Sequence, residues 1–278
     1  MGGQWKRQAD AKAPAGTRIN WGHPLARGLV AYAPLNEQAS QIRDLVRNYT
    51  GSAISTIAWT ASPGGMGLRD PSNSDTGGNI FLMQSPLSGL VDATFISWVY
   101  LLSSWTGSQE VLGFGRWDEG FTYVINRKSN STQSRCIIAM STTSPDLTVT
   151  DGMTTTGRHC VAWVLKASVL SCYINGVAVG GTSTGSGTIV SHASGLGLFT
   201  ANGPAGSMLN LSSAVGLAAG IYNRALSVHE LEALTASPYA VLQAERPRSQ
   251  FFEIVGRTTK NTRSAPLGIE VGMNWRGH

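Results

Sequence analysis

Residues 95–102 read FISWVYLL, and this stretch decides the fold of the chain. Successive side chains of a β-strand point to opposite faces of the sheet. Because apolar residues occupy both the odd and the even positions, the strand must be covered on both of its faces. We therefore expect residues 95–102 to form an inner strand at the centre of the core.

The rest of the chain alternates short apolar segments with clusters of Gly, Ser, Thr, Asn and Asp, a spacing typical of many short strands. In CYINGVAV (172–179), Asn175-Gly176 predicts a tight type I′ hairpin, since both turn positions need φ > 0. Ser227 with Glu230 forms a capping box that predicts one helix, which Pro238 ends. The segments predicted to be strands are 28–35, 92–102, 110–114, 121–126, 135–140, 159–165, 170–179, 195–199 and 215–222.

The composition fits one well-packed domain. The chain has 278 residues, of which 42% are hydrophobic, 13% are charged and 33 are glycines. This mixture excludes a disordered chain, a coiled coil and a collagen-like repeat. All-β sandwiches often reach roughly 200 to 250 residues without splitting, so one main domain is expected.

The cysteines and the lack of long apolar runs indicate the cellular compartment in which the protein is synthesised. Cys136, Cys160 and Cys172 are odd in number and lie among apolar residues, which predicts reduced thiols in the core. The N-terminal residues are polar and basic, and no run of about 18 apolar residues occurs. We expect a protein that is synthesised in a cytosol and spans no membrane.

Positive charge is concentrated at the two ends of the chain. Residues 1–27 hold five basic side chains and one acidic one, and residues 240–278 hold six basic and three acidic ones. The predicted domains are a basic N-terminal arm (1–27), a sandwich domain (28–236) and a basic C-terminal arm (237–278). Such arms either keep a protein soluble or contact nucleic acid or an acidic protein surface. Phe251, Phe252 and Trp275 have no evident core of their own, which favours contact with a partner.

Five segments then carry a family resemblance. They are GLVAYAPLNE (28–37), DLVRNYTG (44–51), TFISWV (94–99), YINGV (173–177) and IYNRALS (221–227). In this order they resemble the landmarks of laminin-G-like, concanavalin A-like jelly-roll domains. The resemblance implies an all-β fold: an antiparallel two-sheet jelly-roll sandwich with one short C-terminal helix, between extended N- and C-terminal arms.

The flanking segments resemble a second group of proteins. RINWGHPLARGL (18–29) before the domain, with SPYA (237–240) and ERPR (245–248) after it, are similar to the ends of virion proteins of tailed bacteriophages. This resemblance implies a particle component, either a head decoration protein or part of a tail or fibre. The basic arms would then dock to the particle.

Catalytic patterns are weak. Retaining glycoside hydrolysis needs two carboxyl groups about 5 Å apart, and no Glu-x-Asp-x-x-Glu strand supplies them. The sequence GTSTG (181–185) fits a nucleophile pattern but lies in a small-residue loop without a following helix. No histidine pair has metal-ligand spacing. We expect no enzyme, no catalytic residue and no required cofactor.

Calcium binding is left open at one residue. Laminin-G-like domains often hold calcium near the sandwich rim, and Asp44 occupies a matching landmark. The late strand that usually carries an acidic pair has Leu217-Ala218 here, and a hard cation needs anionic oxygen. Asp44 would otherwise form an Asx turn.

A glycan site is the alternative to a purely structural role. Trp105 and the run Arg116-Trp117-Asp118 combine aromatic rings with polar groups, as saccharide binding requires. The same residues equally suit a lid over the core or an interface. Nucleic acid is not favoured, because the charge of the arms is modest and no recognition motif occurs.

These observations lead to one expectation of function and one alternative. We expect a structural virion protein that docks to capsid or tail subunits, with self-association left open. The alternative is a carbohydrate-binding, receptor-recognising module of the tail. The candidate docking residues are Arg246, Arg248, Phe251, Phe252 and Trp275.

Overall fold

The computed structural model describes residues 16–35, 41–52, 58–69, 87–102, 110–118, 121–128, 132–190, 197–202, 208–211 and 213–243. The chain divides into two units, Met1–Ala244 and Glu245–His278. All described residues belong to the first unit, so the account of the fold concerns that unit alone.

The described part of the chain is built from antiparallel strands, one α-helix and one 3-10 helix (Pro24–Ala26). The strands are β1 (Arg18–Ile19), β2 (Leu29–Ala33), β3 (Gln41–Asp44), β4 (Tyr49–Ser52), β5 (Ala58–Ser62), β6 (Gly65–Arg69), β7 (Ala93–Leu101), β8 (Glu110–Asp118), β9 (Phe121–Lys128), β10 (Gln133–Ile138), β11 (Asp146–Thr150), β12 (Gly157–Lys166), β13 (Val169–Ile174), β14 (Val177–Thr184), β15 (Gly197–Leu198), β16 (Thr200–Asn202), β17 (Met208–Asn210), β18 (Ala214–Tyr222) and β19 (Leu242–Gln243). The helix α1 spans Val228–Ala236.

Two large sheets face each other. The eight-stranded sheet has the order β14-β13-β12-β7-β18-β6-β5, and β2 also pairs with β18. The five-stranded sheet has the order β11-β10-β9-β8-β15. Three short ribbons, β1-β19, β3-β4 and β16-β17, complete the described strands. The architecture is an all-β sandwich with one short helix, as the sequence predicts.

Strand β7 lies in the middle of the larger sheet, between β12 and β18. Phe95 and Val99 belong to the main apolar cluster, whereas Ile96 and Trp98 belong to a second cluster. The larger sheet is therefore covered on both faces, which confirms the prediction drawn from residues 95–102.

The second cluster lies between the larger sheet and the helix. The Trp98 indole Nε1 donates a hydrogen bond to the Leu234 carbonyl at 3.0 Å. The Tyr32 hydroxyl donates to the Pro238 carbonyl at 2.7 Å, and its ring meets that of Trp98 edge-on, with 6.4 Å between the centroids. Leu231 contributes the apolar face of α1, since it is 1% exposed. Helix α1 is thus fixed to the sheet by both packing and hydrogen bonds.

The predicted hairpin is present between β13 and β14. Asn175 has φ 53° and Gly176 has φ 81°, the backbone that a type I′ turn requires. The Asn175 side-chain oxygen also accepts a hydrogen bond from the Cys160 N–H at 2.8 Å. Asparagine therefore serves both the turn and the attachment of the hairpin to β12.

Part of each predicted arm packs on the sandwich. Arg18 pairs with Gln243 and Ile19 pairs with Leu242 in the β1-β19 ribbon. Ile19 is 3% exposed and Val241 is fully buried. Residues 16–27 and 237–243 are thus packed in the same unit as the sheets, while the domain limits at 27/28 and 236/237 stay a prediction.

An ion pair fixes the start of α1. The Arg224 guanidinium donates two hydrogen bonds to the Glu230 carboxylate, at 2.9 and 2.7 Å, and a third to the Arg27 carbonyl at 2.8 Å. The predicted capping box is present, because Ser227 and Glu230 bond to each other's backbone N–H. The Arg224 guanidinium lowers the pKa of Glu230 to about 2, and the Ser227 hydrogen bonds act in the same direction.

We expect this ion pair to lose its contribution to stability in acid. Glu230 has a folded pKa of about 2 against an ordinary value of 4.5, so its contribution is complete above pH 4.5 and falls as the pH drops toward 2. The loss should be about 2 kcal/mol over that window. Urea denaturation from pH 2 to 6 measures it. Glu230→Gln should give a smaller acid-dependent loss than the wild type, and equal losses would contradict the assignment.

Candidate functional site

The residues predicted for glycan binding lie mostly beyond what the structure describes. Trp105 is outside the described residues. Arg116, Trp117 and Asp118 form the end of β8, where Trp117 pairs with Thr122 in β9. Their side chains are outside the description, so a glycan site at these residues stays a prediction.

The predicted docking residues are also outside the described ranges. All of them lie in the second unit, Glu245–His278: Arg246, Arg248, Phe251, Phe252 and Trp275. Their role stays a prediction that the structure does not test.

Asp44, the candidate calcium ligand, is engaged by the backbone. The residue is 1% exposed, and its Oδ1 accepts hydrogen bonds from the N–H groups of Tyr32 and Val46, each at 3.0 Å. The bond from Val46 has the two-residue spacing of an Asx turn. Burial raises the pKa of Asp44, and the backbone donors oppose that rise. Among the described residues, no group of three His, Cys, Asp or Glu side chains is arranged to hold a metal ion.

Two other buried carboxylates join neighbouring segments. Glu110 in β8 accepts two hydrogen bonds from Ser213. The Ser213 N–H donates to its Oε2 at 2.9 Å, and the Ser213 hydroxyl donates to its Oε1 at 2.8 Å. Asp151 accepts from the Ser134 hydroxyl and, at 3.0 Å, from the Met153 N–H. Both acids thereby satisfy buried donors, which is a structural role.

The cysteines are free and buried, as the sequence predicts. Burial raises the pKa of Cys160 to about 12 and raises the pKa of Cys136 and Cys172 as well. Because the thiolate is the reactive form, these protonated thiols are weak nucleophiles. The described part of the chain also has no helix long and apolar enough to cross a bilayer.

One exposed tryptophan is held in a turn between β1 and the 3-10 helix. Trp21 is 60% exposed. Asn20 accepts a hydrogen bond from the Gly22 N–H through its side chain, at 3.2 Å, and one from the His23 N–H through its carbonyl, at 2.9 Å. The Asn20 N–H donates to the Val241 carbonyl at 2.8 Å. The backbone that carries Trp21 is therefore anchored on both sides.

An open cleft of about 410 Å³, named here the Trp21 cleft, lies beside this turn. Ile19 is buried, Leu45 is half-buried, and the side chains of Arg18 and Gln243 are exposed. Arg18 is the one charged residue among those that line the cleft, so the cleft is cationic. The lining residues are Arg18, Ile19, Asn20, Trp21, Gly22, Leu45 and Gln243.

Sequence reasoning missed the Trp21 cleft. Trp21 belongs to a flanking segment, and only the fold shows that β19, more than two hundred residues further along the chain, completes the lining. One signal was present: Trp21 stands between Asn and Gly, two residues that favour turns. A large aromatic side chain in a surface turn is a candidate for exposure to solvent.

The fold defines the chain as an antiparallel two-sheet β-sandwich. No protein-family model matches the chain, and no curated protein sequence matches it. Several solved structures share the fold. A Trypanosoma rangeli sialidase, solved in complex with 2,3-difluorosialic acid, matches with a TM-score of 0.52 and 16% identity over 84% of this chain and 37% of its own.

Two toxin domains are similar in the same way. The binding domain of Paraclostridial Mosquitocidal Protein 1 matches with a TM-score of 0.56 and 13% identity, over 76% of this chain and 52% of its own. The binding domain of Botulinum neurotoxin DC, solved with rat synaptotagmin II, matches with a TM-score of 0.52 and 10% identity over the same shares. The chain thus spans from about a third to about half of these solved chains, and at such identities the likeness establishes the fold alone.

The expectation that the chain is not an enzyme is contradicted by these comparisons. The chains that share the sandwich include a sialidase, which is an enzyme. The expectation depended on the missing Glu-x-Asp-x-x-Glu strand, and that pattern concerns one carboxylate mechanism. Its absence does not exclude catalysis on a sandwich of this class, because function resides in sites and not in the fold.

Proposed function

We propose that this chain is a laminin-G-like, concanavalin A-like jelly-roll protein that acts by recognition, as a structural component of a tailed-phage virion. Its partners would be other capsid or tail subunits, reached through the basic segments at the two ends of the chain. The family and virion parts of this proposal come from the sequence resemblances. The docking part is supported by the described fold.

The β1-β19 ribbon is the observation that carries the docking proposal. The pairing of Arg18 with Gln243 brings the two ends of the described body to neighbouring positions. Residues 16–243 contain twelve basic and twelve acidic side chains, so the net charge of +5 resides in residues 1–15 and 244–278. Two cationic segments that begin at one place can meet a single acidic surface, and complementary charge favours such an encounter.

Apolar residues in the C-terminal segment add the second element of an interface. Interfaces combine aromatic anchors and arginine with a polar rim. Phe251, Phe252 and Trp275 supply the aromatic rings, and Arg246 and Arg248 supply the guanidinium groups. The neurotoxin domain in complex with synaptotagmin II supports protein binding as a use of this fold.

The test is a truncation placed where the structure allows it. A cut at residue 240 would also remove the fully buried Val241 and the β19 strand, so the chain should end at Ala244. We expect a chain of residues 1–244 to keep the unfolding free energy of the full chain within about 1 kcal/mol and to be absent from purified particles. Quantitative mass spectrometry of particles measures incorporation.

A second truncation serves as the matched control. A chain that ends at Tyr239 lacks Val241 and the β19 strand and should lose at least about 2 kcal/mol of stability, because a fully buried Val side chain alone contributes about that much. Incorporation of residues 1–244 at the level of the full chain would contradict the docking role of the C-terminal segment.

A further inference from the structure

The Trp21 cleft has the dimensions of a small-ligand site. Its volume of about 410 Å³ lies within the roughly 300 to 1,000 Å³ typical of small-ligand pockets. A stable protein partner would cover about 800 Å² and contact about 20 to 30 residues on each side. The cleft is lined by seven residues, so its size favours a ligand of one or two rings.

The lining groups match the surface of a sugar. The exposed indole of Trp21 offers a flat apolar face, on which the C–H face of a sugar ring can stack. The side chain of Gln243 is exposed at the rim and carries both a donor and an acceptor, as sugar hydroxyls do. The Asn20 side-chain oxygen is held by the Gly22 N–H, which orients that amide before any ligand arrives.

The positive charge of the cleft favours an acidic sugar over a neutral one. Arg18 is exposed, and no described carboxylate forms an ion pair with it. Asp44, the acid beside Leu45 in the sequence, is buried and accepts hydrogen bonds from the backbone. A guanidinium presents a planar fork of donors that fits a carboxylate. An anionic ligand would therefore find charge complementarity that a neutral one would not.

We propose that the Trp21 cleft binds an acidic saccharide. The sugar ring stacks on Trp21, its carboxylate pairs with Arg18, and its hydroxyls bond to the amides of Asn20 and Gln243. This site goes beyond the docking role proposed above and does not require it, since all of its groups belong to the body of residues 16–243.

The test uses the full chain and defined probes. An array of uronic-acid and sialic-acid oligosaccharides, printed beside their neutral counterparts, identifies bound sugars, and calorimetry on the bound ones gives affinities. We expect acidic members to bind in preference to neutral ones. Trp21→Ala should weaken binding about tenfold or more, and Trp21→Phe should retain most of it because an aromatic face remains. Arg18→Gln should weaken binding of acidic sugars and reduce its dependence on salt.

Matched variants separate the site from general surface effects. Val177→Ala removes another exposed apolar side chain, 66% exposed, and Lys166→Gln removes another exposed cation, and both should bind as the wild type does. The proposal is overturned if no acidic sugar binds, if neutral counterparts bind equally, or if Trp21→Ala binds unchanged. Particle incorporation is scored separately, so a variant that loses the sugar but still joins particles leaves the docking proposal intact.

Discussion

Replacing Trp98 by alanine should lower the free energy of unfolding by about 4 kcal/mol, one of the two largest effects we expect from a single substitution. Trp98 is fully buried in β7, where it packs edge-on against Tyr32 and donates a hydrogen bond to the Leu234 carbonyl of α1. The substitution removes apolar contacts, leaves a cavity and leaves that carbonyl without its partner. Urea denaturation followed by circular dichroism measures the change.

A comparison with Trp163 isolates the hydrogen bond. Trp163 in β12 is also fully buried, but its Nε1 has no hydrogen-bond partner among the described residues. Phenylalanine at either position removes a similar volume, but only at Trp98 does it break a buried hydrogen bond. We expect Trp98→Phe to cost about 1 to 2 kcal/mol more than Trp163→Phe. Equal costs would mean that the bond to Leu234 contributes nothing to the attachment of α1.

The elements that sequence predicted well are those with local signals. The strand at 95–102 follows from side-chain alternation, the hairpin from Asn175-Gly176, and α1 from the Ser227 and Glu230 capping box. Each signal resides within eight or fewer neighbouring residues. The laminin-G and virion identities are inferred from resemblance to known proteins and not from a physical property of the residues. They therefore remain proposals.

The elements that sequence missed depend on distant partners. The strands β1 and β19 are two residues long and more than two hundred residues apart, and neither pattern alone indicates a strand. Ile19 and Val241 are both buried in the second apolar cluster, whose other members come from distant parts of the chain. The boundaries of the predicted arms follow from charge and from the span of the family resemblance, and neither reports which flanking residues pack.

The candidate site was missed for a related reason. The sequence favours Trp105 and Trp117 because polar or charged residues accompany them, whereas Trp21 lies in a flanking motif. Exposure of a ring is a property of the folded chain, and here it arises from the anchored turn at Asn20. A lining that combines the Arg18 guanidinium with the Gln243 amide likewise requires the ribbon.

Replacing Gly67 by alanine should destabilise the sandwich by about 3 kcal/mol, because the new methyl group has no room. Gly67 lies in β6, which pairs with β18 beside Gly216. A Cβ at this position would overlap the Gly216 carbonyl oxygen and lie 2.6 Å from the Val215 Cγ1. The backbone oxygen cannot rotate out of the way, as the end of a flexible side chain can. The strands β6 and β18 must therefore separate locally and lose hydrogen bonds between them.

Gly181 provides the control for this substitution. It lies in β14, where the sequence predicts a small-residue loop, and a Cβ there would meet no atom within 4 Å. Gly181→Ala should change the free energy of unfolding by no more than about 0.5 kcal/mol. Both variants add one methyl group to a strand glycine, so the difference between them reports the close approach of β6 to β18. If Gly67→Ala proved as stable as Gly181→Ala, the two strands could not lie as close as the pairing of Leu68 with Gly216 places them.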